Sequence, residues 1–205
     1  DFHGKFEGIT GADDAGIKKI IEDVNGKITE GVSKADLLKN SGLDKVKVDE
    51  IVSIPKGSRP DPSTYLSKDY IEQHLKQFEN GGSFVMTRDQ YEWYVEGNSF
   101  IGFNDNTQFI APKDFMDKIE KVASGDISVY EKMLGFDDGY FQSGGGLVRF
   151  DTINLKDLEI RIPSGNEAGA NSHWIPGGLT DGGTPEAIIN KIPNNDEYIK
   201  ISFIN

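Results

Sequence analysis

The sequence predicts an α+β fold: a small mixed or antiparallel sheet core, short helices, and long glycine-rich loops that build the site. Three observations predict it. Short apolar runs rich in Val, Ile and Phe are bounded by glycine and proline, the pattern of strands. They alternate with short windows whose apolar residues recur at i, i+3 and i+4, the pattern of a helix face. Eleven of the 24 glycines fall between Gly135 and Gly183, which predicts loops rather than regular structure there.

Taken in order, Ile17, Ile20, Ile21 and Val24 share one helix face, which Gly26 would end. Ser33 and Asp36 suit a capping box ahead of Leu37 and Leu38. Ile51, Val52 and Ile54 predict a short strand running into the stiff turn segment of Pro55, Gly57, Pro60 and Pro62. Ser67 caps a helix in which Ile71, Leu75 and Phe78 share a face, closed by Asn80, Gly81 and Gly82. Strands are expected over 83–88 and 108–111, with a turn at Asn104-Asp105-Asn106 between them. Pro112 opens a helix that buries Phe115, Ile119 and Val122, because proline is tolerated in a first helical turn. A short helix over 128–134 and strands over 147–150, 158–162, 187–189 and 198–204 complete the reading. The 205 residues suit one domain with a short appendage: a polar helical segment over 1–47 and a catalytic domain over 48–205.

Composition narrows the function. With 34 Asp and Glu against 22 Lys and Arg, the net charge of −12 repels phosphate backbones and disfavours a nucleic-acid binder. The absence of cysteine excludes thiol catalysis, thiolate metal sites and disulfides. No apolar run approaches the ~18 residues of a membrane span. The sequence starts at Asp1 without a signal peptide and reads as a piece of something longer, acting as a monomer.

Chemistry concentrates in 163–193. This segment gathers Asn166, Glu167, Asn171, Ser172, His173, Trp174 and Glu186 among residues without bulk, where glycines admit a ligand close to the backbone. Glu186 stands at the head of the run Ala187-Ile188-Ile189, behind Gly182-Gly183-Thr184-Pro185, so its carboxylate is held by a strand and reaches a cleft. Trp174 offers a flat face to nicotinamide or adenine, or else belongs to the core. His173 points away from Trp174 if the segment is extended. His74 reads as a surface residue, and three scattered histidines give no metal-ligand spacing. The chain has neither a P-loop nor a dinucleotide glycine fingerprint, so a pyrophosphate would need a guanidinium. Of the four arginines, Arg88 at the end of its strand comes first and Arg59 in the proline-rich turn second.

The order of Arg88, the Phe109-Ile110-Ala111-Pro112 element, Trp174 and Gly182-Gly183-Thr184-Pro185-Glu186 resembles the NAD-degrading domains of the tuberculosis necrotising toxin family, which are related to the ADP-ribosyltransferase fold. The likeness covers roughly residues 80–192. The segments 60–66 and 164–176 also look like C-terminal toxin modules of bacterial polymorphic secreted proteins. The resemblance implies an ADP-ribosyltransferase-like fold and hydrolysis of NAD, as substrate and without a cofactor, to nicotinamide and ADP-ribose. It implies Glu186 and Arg88 as catalytic residues and Trp174 at the substrate; the reading of the residues themselves adds Arg59, Asn166, Glu167, His173 and Thr184 around it. It also implies secretion, action in the cytoplasm of a target cell, and a cognate immunity protein as partner. Transferases often carry a second acidic or amide residue two positions before the glutamate; Thr184 in that place favours hydrolysis over mono-ADP-ribosyl transfer. An RNase using His173, or a binding module without catalysis, are the competing readings.

Overall fold

The computed structural model describes residues 40–204; the helices expected around Ile17–Val24 and after Ser33 lie outside the described residues. Helix α1 (Lys45–Ser53) comes first, and it replaces the strand expected at Ile51–Ile54. The β-branched residues there suggest a strand, but Asp44 accepts the Lys47 N–H as an N-cap, and Val48 and Ile51 lie three apart on one buried face. The helix crosses the expected boundary at 47/48, and Leu43 ahead of it packs on the same core as Val48.

Helix α2 (Lys68–Lys76) starts at the Ser67 cap, as expected. Strand β1 (Gly82–Thr87) then runs directly into α3 (Arg88–Tyr94), so Arg88 is the first residue of a helix rather than the last of a strand. The cause is a capping box: Thr87 Oγ1 accepts from the Gln90 N–H, and the Gln90 side chain accepts from the Thr87 N–H. β2 (Phe100–Ile101), β3 (Gln108–Pro112), α4 (Lys113–Ala123) and α5 (Ile127–Leu134) follow. Strand β4 (Leu147–Thr152) succeeds the glycine triplet. The strand expected over 158–162 is absent; the chain makes a 3-10 turn at Leu155–Leu158 between left-handed Asn154 and Glu159, leaving a single bridge from Arg161 to Ile188. Five further strands close the chain: β5 (Trp174–Ile175), β6 (Leu179–Thr180), β7 (Ala187–Ile189), β8 (Ile192–Pro193) and β9 (Ile199–Ile204).

Five strands form an antiparallel sheet in the order β7-β3-β1-β4-β9. Alternating side chains bury both faces. Val85, Ala111 and Leu147 meet Met116 and Ile119 of α4 and Tyr130 and Met133 of α5 on one side. Phe84, Ile110 and Phe150 meet Phe78, after α2, and Val95, after α3, on the other, with Phe84 and Phe150 stacked at 4.8 Å as register partners.

The sheet is forked. β1 pairs with β4 at six positions but with β3 only at Gly82 and Ser83, after which β3 leaves to pair with β7 at three positions. Beyond Ser83 the β1 and β3 arms diverge. Among the described residues no helix is long and apolar enough to cross a membrane.

Candidate functional site

A cavity of about 830 Å³ occupies the fork, lined by Phe84–Met86 on one arm and Gln108–Ala111 on the other. The remaining walls are aromatic to an unusual degree, with Tyr94, Phe100, Phe103, Tyr140 and Trp174 among the lining residues. Glu186, Trp174, His173 and Thr184, all singled out from the sequence, line this one cavity.

Glu186 precedes β7, and its main chain is clamped on both sides. Its N–H donates to the Gly178 carbonyl at 2.8 Å, and its carbonyl lies 2.8 Å from Nε2 of His74. That contact corrects the expectation for His74, which is 4% exposed, stacked on Tyr70 and tilted against Phe78. Burial lowers the pKa of His74, so its neutral ring donates to the Glu186 carbonyl. Glu186 is nine-tenths buried, and among the described residues its carboxyl Oε1 has no hydrogen-bond partner. Burial, reinforced by the charges of Glu167 and Asp181, pushes its pKa up to about 8. Two other cavity-lining residues also bury a polar atom without a partner, Trp174 through Nε1 and Ser83 through Oγ.

Trp174 is 5% exposed and backed by structure on its outer side. The Arg59 guanidinium carbon lies 4.8 Å from the ring centroid, and a Cβ at Gly165 would stand 2.6 Å from Cη2 of the ring. His173, next to Trp174 in sequence, also lines the cavity. Its Nδ1 faces Asp181 Oδ2 and its Nε2 faces Asp137 Oδ1, both at 2.7 Å.

Other expected residues serve the frame. Thr184 is fully buried and donates its hydroxyl to the Met133 carbonyl at 2.5 Å; Thr180 does the same at 2.8 Å, so both pin the loop before Glu186 to the last turn of α5. Glu167 accepts the N–H groups of Ser164 and Gly165, and Asn166 binds the Gly57 and Arg59 main chain, which leaves neither directed at a ligand. Arg59 donates to the carbonyls of Ile54, Val52 and Gly165.

Arg88 departs furthest from expectation. It does not line the cavity; its side chain is exposed and lies over Phe203 of β9, with the guanidinium carbon 4.6 Å from the ring centroid. Because the helix begins at residue 88, its side chain leaves toward β9 and not into the fork. The expected convergence of Arg88 and Glu186 on one groove is therefore corrected.

The fork, the aromatic walls and Lys191, which also lines the cavity, were not among the expected features. A dense aromatic run from Tyr91 to Phe109 was the available signal. Among the described residues, no three His, Asp or Glu side chains gather in a group able to hold a metal ion. Compared with known protein families and with curated proteins, the chain matches none.

Proposed function

We propose that the chain hydrolyses NAD at the bond between nicotinamide and ribose, in the forked cavity, on a scaffold related to ADP-ribosyltransferases. One observation carries this reading: a buried carboxyl with an unpartnered oxygen, Glu186, lines an aromatic-walled cavity with two further orphaned polar atoms. Buried polar groups without protein partners are rare in folded proteins and are met by water or by a ligand. An aromatic cavity with one carboxylate suits a flat cation, and the nicotinamide ring of NAD is one.

The chemistry follows from charge. With no cation beside it, Glu186 holds its proton up to about pH 8. A bound pyridinium favours the ionised form and displaces that proton. The carboxylate then faces the ribose, where positive charge develops as the glycosidic C–N bond breaks. The bonding electron pair returns to the ring nitrogen, so nicotinamide leaves neutral. Water adds its oxygen to the ribose carbon, releases a proton to solvent, and yields ADP-ribose. Trp174, held by Arg59 and Gly165, walls the ring. On this reading the chain is a secreted bacterial toxin module that acts in the cytoplasm of a target cell, and the producer's immunity protein plugs the cavity.

The test is incubation of the purified chain with NAD. Nicotinamide and free ADP-ribose are expected in equal amounts, and Glu186→Gln is expected to lose about 10²–10³-fold in turnover while staying folded. Label carried onto protein would convert the reading to a transferase. No nicotinamide release at all would end it.

A further inference from the structure

The NAD reading leaves the phosphates without a partner, and all four arginines are engaged elsewhere. Arg88 lies over Phe203, Arg59 is spent on carbonyls and Trp174, Arg149 is buried against Asp117, Glu120 and Asp151, and Arg161 binds the Glu159 carbonyl and Asn190. The cavity has a second end, however. Among the described residues Lys191 is the one lysine or arginine that lines it, and its Nζ stands 5.0 Å from the centroid of Phe100.

This lysine is set in place by its neighbours. Its N–H donates to Asn106 Oδ1, and the Gly102 backbone packs so tightly against it that a Cβ there would come within 3.1 Å of the Lys191 Cα. Phe100 and Phe103, at 49% and 45% exposure, are half open to solvent and line the cavity with Lys191. Lys191 lies five positions after Glu186 with strand β7 between them, and those three strand residues at ~3.3 Å each carry the chain about 10 Å from one toward the other.

Electrostatics fix the polarity of a ligand lying between these ends. Asp181 and Glu167 make the Glu186 end acidic, and Glu186 adds its own charge when a bound pyridinium displaces its proton, so phosphates are repelled from that end and drawn toward the ammonium. Aromatic rings beside a cation match an adenine ring next to phosphate.

We propose that Lys191, Phe100 and Phe103 form a nucleotide subsite in which the lysine holds phosphate and the rings stack on adenine. The proposal rests on the NAD reading for the orientation of the substrate, but the subsite itself is testable without turnover. The experiment is calorimetric titration of the full chain with ADP at low salt. Binding is expected for the unaltered chain and for Glu186→Gln, with affinity at least tenfold weaker in Lys191→Gln and in Phe100→Ala. In parallel, Lys191→Gln is expected to raise KM for NAD about tenfold with little change in kcat, and to leave cleavage of nicotinamide riboside, which has no phosphate, unchanged. No ADP binding, ADP binding that ignores Lys191→Gln, or an equal loss on the riboside would each overturn the subsite. ADP binding that depends on Lys191, with no NAD cleavage, would support the subsite and refute the proposed hydrolysis instead.

Discussion

Nε2 of His74 stands 2.8 Å from the main-chain oxygen of Glu186, and Gly178 is the residue that makes room for it. A Cβ at position 178 would come within 2.4 Å of that nitrogen, on a backbone whose φ of +79° is already unfavourable for any side chain. Gly178→Ala is therefore expected to displace the ring, orphan the Glu186 carbonyl and cost roughly 2–4 kcal/mol in urea unfolding. His74→Ala removes the clash in advance. The double variant is expected to lose clearly less than the sum of the singles, and strict additivity would show that the ring and the glycine are not in conflict.

Glu186 carries a cost in stability that depends on pH. Its pKa rises from 4.5 in the unfolded chain to about 8 in the folded one, so between these values the folded state holds a proton that the unfolded state has lost. The contribution of this group is complete below pH 4.5, shrinks as pH rises through the window, and levels off above 8. Glu186→Gln, which cannot ionise, is expected to gain on the unaltered chain by about 1.4 kcal/mol per pH unit across that window. Denaturant midpoints at pH 5, 7 and 9 check this; a constant gap between the two proteins would mean the carboxyl is not desolvated.

The same proton shapes the rate. If cleavage needs the ionised carboxylate, kcat/KM for NAD is expected to rise about tenfold per pH unit below 8 and to flatten above it, because the free protein sets this profile. A bound pyridinium stabilises the carboxylate, so the kcat profile should break at lower pH. Two profiles that break at the same pH would remove the coupling between substrate charge and Glu186.

How far the sequence carried these conclusions depends on the range of each interaction. Local signals served well: Ser67 capped its helix, the glycine triplet preceded β4, and the glycine and proline setting marked Glu186 at the head of β7. Where two local signals compete, the side-chain cap outweighs β-propensity. β-Branched residues at 51–54 suggested a strand although the Asp44 cap and the three-residue spacing of Val48 and Ile51 specify a helix. The Thr87-Gln90 capping box was equally readable and would have turned Arg88 out of the strand. The fork, the burial of His74 and the approach of Lys191 to Phe100 depend on contacts between residues distant in sequence or on strand pairing, and no local pattern encodes them.

Asn166 tests whether the frame behind Trp174 matters to the cavity. Its Oδ1 accepts from the N–H groups of Gly57 and Arg59 at 2.8 and 3.0 Å, and its Nδ2 donates to the Arg59 carbonyl at 2.8 Å. Arg59, fixed in this way, lies over Trp174 and also donates to the Gly165 carbonyl at 2.7 Å. Asn166→Ala breaks all three side-chain bonds and is expected to cost about 1–3 kcal/mol. It should also loosen the ring. The chain has two tryptophans, and Trp93 is 79% exposed, so replacing it by Phe isolates the signal of the buried Trp174. In that background Asn166→Ala is expected to red-shift the emission and raise quenching by acrylamide, whereas Asn166→Asp, which keeps the acceptor but sets a carboxylate against the Arg59 carbonyl, should fall at least as far. Unchanged quenching alongside a loss of stability would confine Asn166 to the loop and leave Trp174 held by Arg59 and Gly165 alone.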